Sequence, residues 1–236
     1  KDNIENSIKN KYKLSLKQNV DDLYAVEITK EDLDNLKKSK DIEEILLDNE
    51  VALFIQDSIN LTSINKVKQS GYSGQSKSIC ILDTGINYAV FNLTLNQTVF
   101  GYDFVNNDND PLDDNGHGTS ISNIILNIAP NSRIYAAKVI NSNGVGYYSD
   151  VLAGLNYCID NNVDVISFSI GGSLSSGYCD SDLIANKSNY AVDQGIFVVS
   201  STGNDASLTE IRVPSCASKV TRVSASTKQD SIANFA

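Results

Sequence analysis

One histidine, His117, stands among 236 residues, and that scarcity excludes chemistry. Four cysteines (Cys80, Cys158, Cys179, Cys216) show no Cys-x-x-Cys spacing, so with a single imidazole a structural zinc site lacks its ligands. No run of eighteen apolar residues exists, and no stretch reads as a bilayer-spanning helix. Basic residues are outnumbered 19 to 29 by acidic ones, for a net charge of −10. That balance argues against nucleic acid or an anionic membrane as the main partner. No Gly-x-Gly-x-x-Gly follows the first apolar strand, which sets nucleotide binding aside. The chain opens on Lys1 without a signal-peptide pattern, and the expectation is that a segment precedes it.

What is present supports one large domain or one domain with a small satellite. The pattern divides near residue 56. Residues 1–56 read as a small α+β unit. Ile4 and Ile8 mark a short helix, and Tyr12, Leu14 and Leu16 alternate as a half-buried strand. A turn at Asn19-Val20-Asp21-Asp22 follows, then a second alternation at Tyr24, Val26 and Ile28. Thr29 with Asp32 resembles a helix start, Ile42 to Leu47 reads as a strand, and Val51 to Ile55 as another.

Residues 57–236 alternate apolar runs with helical patterns. Strands are predicted at 78–82, 133–139, 163–170, 195–200 and 220–225, with helices at 119–126, 149–161 and 185–194. Continuous apolar strands separated by helices predict an α/β fold, a doubly wound parallel sheet covered on both faces. In such sheets function collects at the carboxyl ends of strands, where Asp83, Gly171-Gly172 and Gly203-Asn204 all fall.

His117 lies in Asn115-Gly116-His117-Gly118-Thr119, 34 positions after the acid of Ile81-Leu82-Asp83-Thr84-Gly85. Flanking glycines permit close approach. A carboxylate can orient an imidazole and stabilise its charged form, so the pair supplies two-thirds of a charge-relay constellation.

These motifs resemble the subtilisin-like serine proteases, the subtilases, over residues 58–236. Asp83-Thr84-Gly85 matches the family's aspartate motif and Gly116-His117-Gly118-Thr119 its histidine motif, in the family's order Asp, His, Ser. The resemblance implies that Asp83 orients His117, that His117 is the general base, and that Asn204 donates to the oxyanion. That last contact is worth about 3–4 kcal/mol of barrier, a figure obtained on a member of this same family. It further implies substrate-edge segments at Ser169, Ile170, Gly171 and Gly172 and at Gly144, Val145 and Gly146, which would pair with an extended peptide. Cys179 and Cys216 resemble a pair that secreted relatives bridge. Cys80 and Cys158 read as small buried hydrophobes, with a second bridge left open.

The catalytic region departs from the family in two places. No Gly-Thr-Ser-x-Ala-x-Pro segment occurs, so the nucleophile is expected from a C-terminal serine-bearing segment, in cis or as a second chain. Gly118-Thr119-Ser120 imitates its first letters, but Ser120 shares a helix with His117 and reads as structural. Asn92 stands where many relatives carry a calcium-binding aspartate, while Asp108, Asp110, Asp113 and Asp114 form an acidic loop that could hold calcium. No cofactor is required by the chemistry.

Residues 1–56 resemble the family's propeptide, with Val51 to Asp57 along the cleft and processing near 54–57. The family's usual opening strand is missing, so the chain reads as clipped at both ends. The expectation is therefore a secreted serine endopeptidase precursor acting on peptides or proteins. Its rival is a peptide- or partner-binding scaffold on the same fold.

Overall fold

The computed structural model describes residues 15–20, 23–39, 42, 44–46, 50–53, 64–93, 99–227 and 231–235. Two compact units divide the chain, Lys1–Asn49 and Glu50–Ala236.

In the first unit, β1 (Ser15–Val20) and β2 (Leu23–Glu27) form an antiparallel pair with a bulge between Leu16 and Gln18. Helix α1 (Lys30–Leu36) follows. Its start is the one the sequence announces: the Asp32 N–H donates to Thr29 Oγ1 at 3.1 Å, satisfying one of the amides a first turn leaves open. Leu36 is buried beneath it. The strand expected from Ile42 to Leu47 is not formed at the described residues, where 42 and 44–46 have no regular structure. Ile45 and Leu46 are exposed, so the alternation there buries no apolar face. The helix expected at Ile4 and Ile8, the Asp21-Asp22 turn and the positions expected for processing lie outside the described residues.

The second unit opens with β3 (Glu50–Leu53) and α2 (Ile64–Gln69). Then come β4 (Ser78–Asp83), β5 (Val99–Asp103), α3 (His117–Ile128), β6 (Arg133–Lys138), β7 (Val145–Tyr147) and α4 (Tyr148–Asp160). The chain continues through β8 (Val165–Phe168), β9 (Ile170–Gly171), β10 (Leu174–Ser175), α5 (Leu183–Asp193), β11 (Phe197–Ser201), β12 (Ile211–Arg212) and β13 (Thr221–Val223). Among the described residues six strands make one sheet in the order β13-β11-β8-β4-β6-β5, with every pairing parallel. Strands β5 and β6 lie on one side of β4 and β8, β11 and β13 on the other, so the chain changes sides across β4, and its end is the switch point where such sheets open a crevice.

Strand alternation decides what each face carries. Ile79 and Ile81 of β4 pack with Val99, Ile134 and Ala136 against Ile121, Ile125 and Leu126 of α3. Cys80 and Leu82 face the other way, toward α4, where Gly154 lies so close that a Cβ would sit 2.7 Å from Val139 and 3.4 Å from Leu82. Helices therefore cover both faces, as expected for a doubly wound α/β sheet. Strand β5 escaped the sequence reading: it is short, and Gly101 breaks its apolar run.

Cys179 and Cys216 are bridged, and so are Cys80 and Cys158. The second bridge corrects the reading of Cys80 and Cys158 as plain buried hydrophobes. Cys80 is on the face of β4 that α4 covers, and its Cα lies 5.7 Å from that of Cys158. The bridge closes a loop of 78 positions. Replacing Cys80 and Cys158 together by alanine is expected to lower stability by roughly 2–5 kcal/mol, because the unfolded chain regains that loop's freedom. Urea unfolding followed by far-UV circular dichroism measures it, and an unchanged midpoint would contradict the expectation.

Candidate active site

The alternation that buries Ile79 and Ile81 beneath α3 sends Asp83, two residues on, into the same layer. His117 is the first residue of α3. Its Nδ1 lies 2.7 Å from Asp83 Oδ1, with the two side chains 2% and 0% exposed. A carboxylate can only accept, so Nδ1 carries the shared proton and the lone pair falls on Nε2. Gly118 is what permits the approach: a Cβ there would lie 2.1 Å from the Gly85 carbonyl oxygen and 3.1 Å from Asp83 Oδ1.

Three further groups hold the pair. Thr84 donates its N–H to Asp83 Oδ1 at 2.7 Å, and its hydroxyl accepts the Gly118 N–H at 2.8 Å. Asn115 Oδ1 accepts the His117 N–H at 3.2 Å. Asp113 caps the start of α3, accepting from the N–H groups of Asn115, Gly116 and Thr119 at 3.0, 2.9 and 2.9 Å and from the Thr119 hydroxyl. Burial pushes the Asp83 carboxyl above its ordinary value, while the hydrogen bond and charge of His117 pull it back in part. The same residue thus carries a burial cost that its imidazole partner offsets.

The proposed substrate edges come together around one strand. The backbone of β3 lies between β7 and β9, antiparallel to both. Val51 pairs with Gly146, Ala52 with Val145 and with Gly171, and Leu53 with Ile170. Gly144 closes the turn before β7 through its N–H to Asn141 O at 3.0 Å. Ser169 precedes β9, and Gly172, just past it, donates to Val213 O at 2.9 Å.

Asn204 lies in the loop after β11 (Phe197–Ser201), a strand two places from β4 in the parallel sheet, at the same carboxyl rim. Its loop is clamped by a residue that the sequence reading passed over. Arg212 grips Asp205 with Nε at 2.8 Å and Nη2 at 2.5 Å, and Nη1 donates to Gly172 O at 2.7 Å. Lys138, also passed over, is fully buried at the end of β6. Its only signal was a lone lysine within Tyr135-Ala136-Ala137-Lys138-Val139. Ser120 donates to Gly116 O at 2.8 Å along its own helix, a local hydroxyl contact.

The carboxylates of the acidic loop are engaged by protein donors. Asp103 accepts from the N–H groups of Val105 and Asn106, Asp108 from that of Asp110, and Asp110 from the Tyr88 hydroxyl. Among the described residues no group of three or more histidine, cysteine or acidic side chains is placed to hold a metal ion.

A chain with this sheet and this buried acid–imidazole pair has a place among known proteins. The model of the Subtilase family, Peptidase_S8, matches residues 74–236, and the chain belongs to that family. It is similar to a thermophilic serine proteinase of Bacillus sp. (strain AK1), 35% identical over 175 residues, covering 70% of this chain and 41% of that protein. It is similar to the minor extracellular protease Epr of Bacillus subtilis (strain 168), 30% identical over 191 residues, with 77% and 28% covered. Subtilisin DY of Bacillus licheniformis is 34% identical over 158 residues, with 63% and 55% covered. The chain thus spans from about a quarter to just over half of these relatives' lengths. The crystal structure of a lanthipeptide protease shares the fold at a TM-score of 0.60 and 21% identity, over 72% of this chain and 54% of that one.

Burial raises the Asp113 carboxyl, yet the N–H groups of Gly116, Asn115 and Thr119 and the Thr119 hydroxyl outweigh it and hold the carboxyl below its ordinary value. A group lowered by folding contributes stability above its unfolded value, and that contribution is lost as pH falls through the folded one. Asp113→Ala is therefore expected to cost about 1–2 kcal/mol at pH 7. The gap should close as pH is taken downward from about 4. Urea titrations at both ends of that range check it; a gap undiminished in acid would contradict the capping role.

Proposed function

We propose that this chain carries the acid–base half of a subtilisin-type serine endopeptidase, the nucleophilic serine being supplied by a segment outside this sequence. The buried 2.7 Å hydrogen bond between Asp83 and His117 at the end of β4 carries the reading. In the reaction the serine Oγ attacks the scissile carbonyl while His117 Nε2 takes its proton. Asp83 holds the ring and stabilises the imidazolium. The Asn204 amide donates to the oxyanion. His117 then protonates the leaving amine, and water hydrolyses the acyl-enzyme by the same proton path. Substrate lies extended between β7 and β9, held by main-chain hydrogen bonds that tolerate many side chains.

The placement of β3 supports a precursor: residues 50–53 take the position a substrate would take, as the tail of a propeptide-like segment. Two disulfides suit an oxidising compartment, and a secreted protein is the reading they favour. No helix among the described residues is long and apolar enough to cross a membrane.

The test supplies the serine-bearing segment, in cis or as a second polypeptide, and measures peptide hydrolysis and fluorophosphonate labelling. Labelled, active protein is expected. In it His117→Ala should lower kcat by on the order of 10⁴- to 10⁶-fold, and Asp83→Asn by about 10⁴-fold through the wrong imidazole tautomer. Asn204→Ala should cost about 10²- to 10³-fold. A folded, complete protein that binds peptides, resists labelling and is indifferent to His117→Ala would instead be the binding scaffold.

A further inference from the structure

Lys138 is among the largest fully buried side chains of the described residues, with 0% exposure. Its neighbours in β6 and just beyond, Ala136, Ala137, Val139 and Ile140, are buried and apolar. A core position that needed only volume would be filled as well by methionine, without desolvating an ammonium. What the ammonium meets is therefore informative. Nζ donates to the Thr84 carbonyl oxygen at 3.0 Å and to Asp114 Oδ1 at 2.5 Å.

Those partners belong to the two segments that present the acid–base pair. Thr84 is the residue after Asp83, and both its N–H and its hydroxyl are committed to the pair's surroundings. Asp114 lies between the helix-capping Asp113 and Asn115, whose side chain holds the His117 N–H. The backbone of Lys138 sits opposite Asp83 in the sheet, and the N–H of Val139 donates to Asp83 O at 2.9 Å. One cation thus ties the peptide after the acid to the turn before the base.

We propose that Lys138 is a positioning residue that sets the Asp83–His117 geometry by joining these two segments. The proposal rests on reading Asp83 and His117 as the acid–base pair. It does not rest on the source of the serine.

His117 is the only histidine, so the chain has a single imidazole Nδ1–H, and its proton resonance reports this hydrogen bond without an assignment step. A proton held against a buried carboxylate is displaced downfield. In Lys138→Met the resonance is expected to move upfield or broaden beyond detection while far-UV circular dichroism stays that of the parent. Asp114→Ala cuts the same tie from its half-exposed end and should do likewise, which keeps the test open if the lysine variant fails to fold. Lys77→Met is the matched control. It removes another lysine–aspartate pair of the same sheet, Lys77–Asp164 at 2.7 Å, at the opposite ends of β4 and β8, and should leave the resonance in place.

An unmoved resonance in a folded Lys138 or Asp114 variant overturns the proposal, as does an equal displacement in Lys77→Met. A parent chain without the resonance overturns the pairing and the proposal together. Absence of fluorophosphonate labelling in the completed protein would sink the peptidase reading and leave these spectra as they are. Where activity is present, Lys138→Met is expected to lower kcat by about 10- to 100-fold with KM little changed, the pattern of a misplaced base.

Discussion

A carboxylate and an imidazole, both out of water and 2.7 Å apart, are the constraint around which the described residues near the sheet's rim are arranged. Most of what surrounds them can be read as making that arrangement tolerable. Burial raises the Asp83 carboxyl, and the Nδ1–H of His117 and the N–H of Thr84, both donating to Oδ1, act against that rise. Bringing a helix start onto a strand end demands a residue without a Cβ at 118. The helix start in turn needs its open amides satisfied, which Asp113 does from the preceding turn. Chemistry, close packing and capping are here one problem solved within about a dozen side chains.

The parallel sheet places the rest. Strands β4 and β11, which lead into Asp83 and Asn204, run parallel in one sheet and bring their carboxyl ends to the same rim, with the chain changing sides across β4. Beside that rim, β7 and β9 leave main-chain edges that β3 fills. Recognition through backbone groups fixes where an extended chain lies and in which direction, while leaving its side chains largely free. The Arg212–Asp205 pair ties the loop bearing Asn204 to Gly172 just past β9, so the proposed oxyanion donor and the proposed substrate edge are mechanically linked.

Much of this was legible in the residues themselves. Asp-Thr-Gly after an apolar run, and the sole histidine between two glycines, carry meaning because few other structures need those residues at those places. Strand and helix periods were also readable, since burial on both faces leaves continuous apolar runs. What was missed depends on partners far along the chain. Cys80 and Cys158 are 78 positions apart, and only the packing of α4 on β4 shows that they meet. Lys138 looks like a misplaced surface residue until Thr84 and Asp114 are seen around it. The reverse error, a strand at Ile42 to Leu47, came from local alternation whose apolar residues Ile45 and Leu46 stay exposed. Val99 to Asp103 became a strand because β6 offered exactly such an edge, despite Gly101.

The Cys80–Cys158 bridge has one more consequence, for the survival of the pair after a cut in the chain. The turn at residues 106–110 is exposed and lies between Asp83 and His117 in the sequence. A nick there would place the acid on one fragment and the base on the other. The cystine spans the cut, so the fragments stay tethered and the paired side chains remain neighbours.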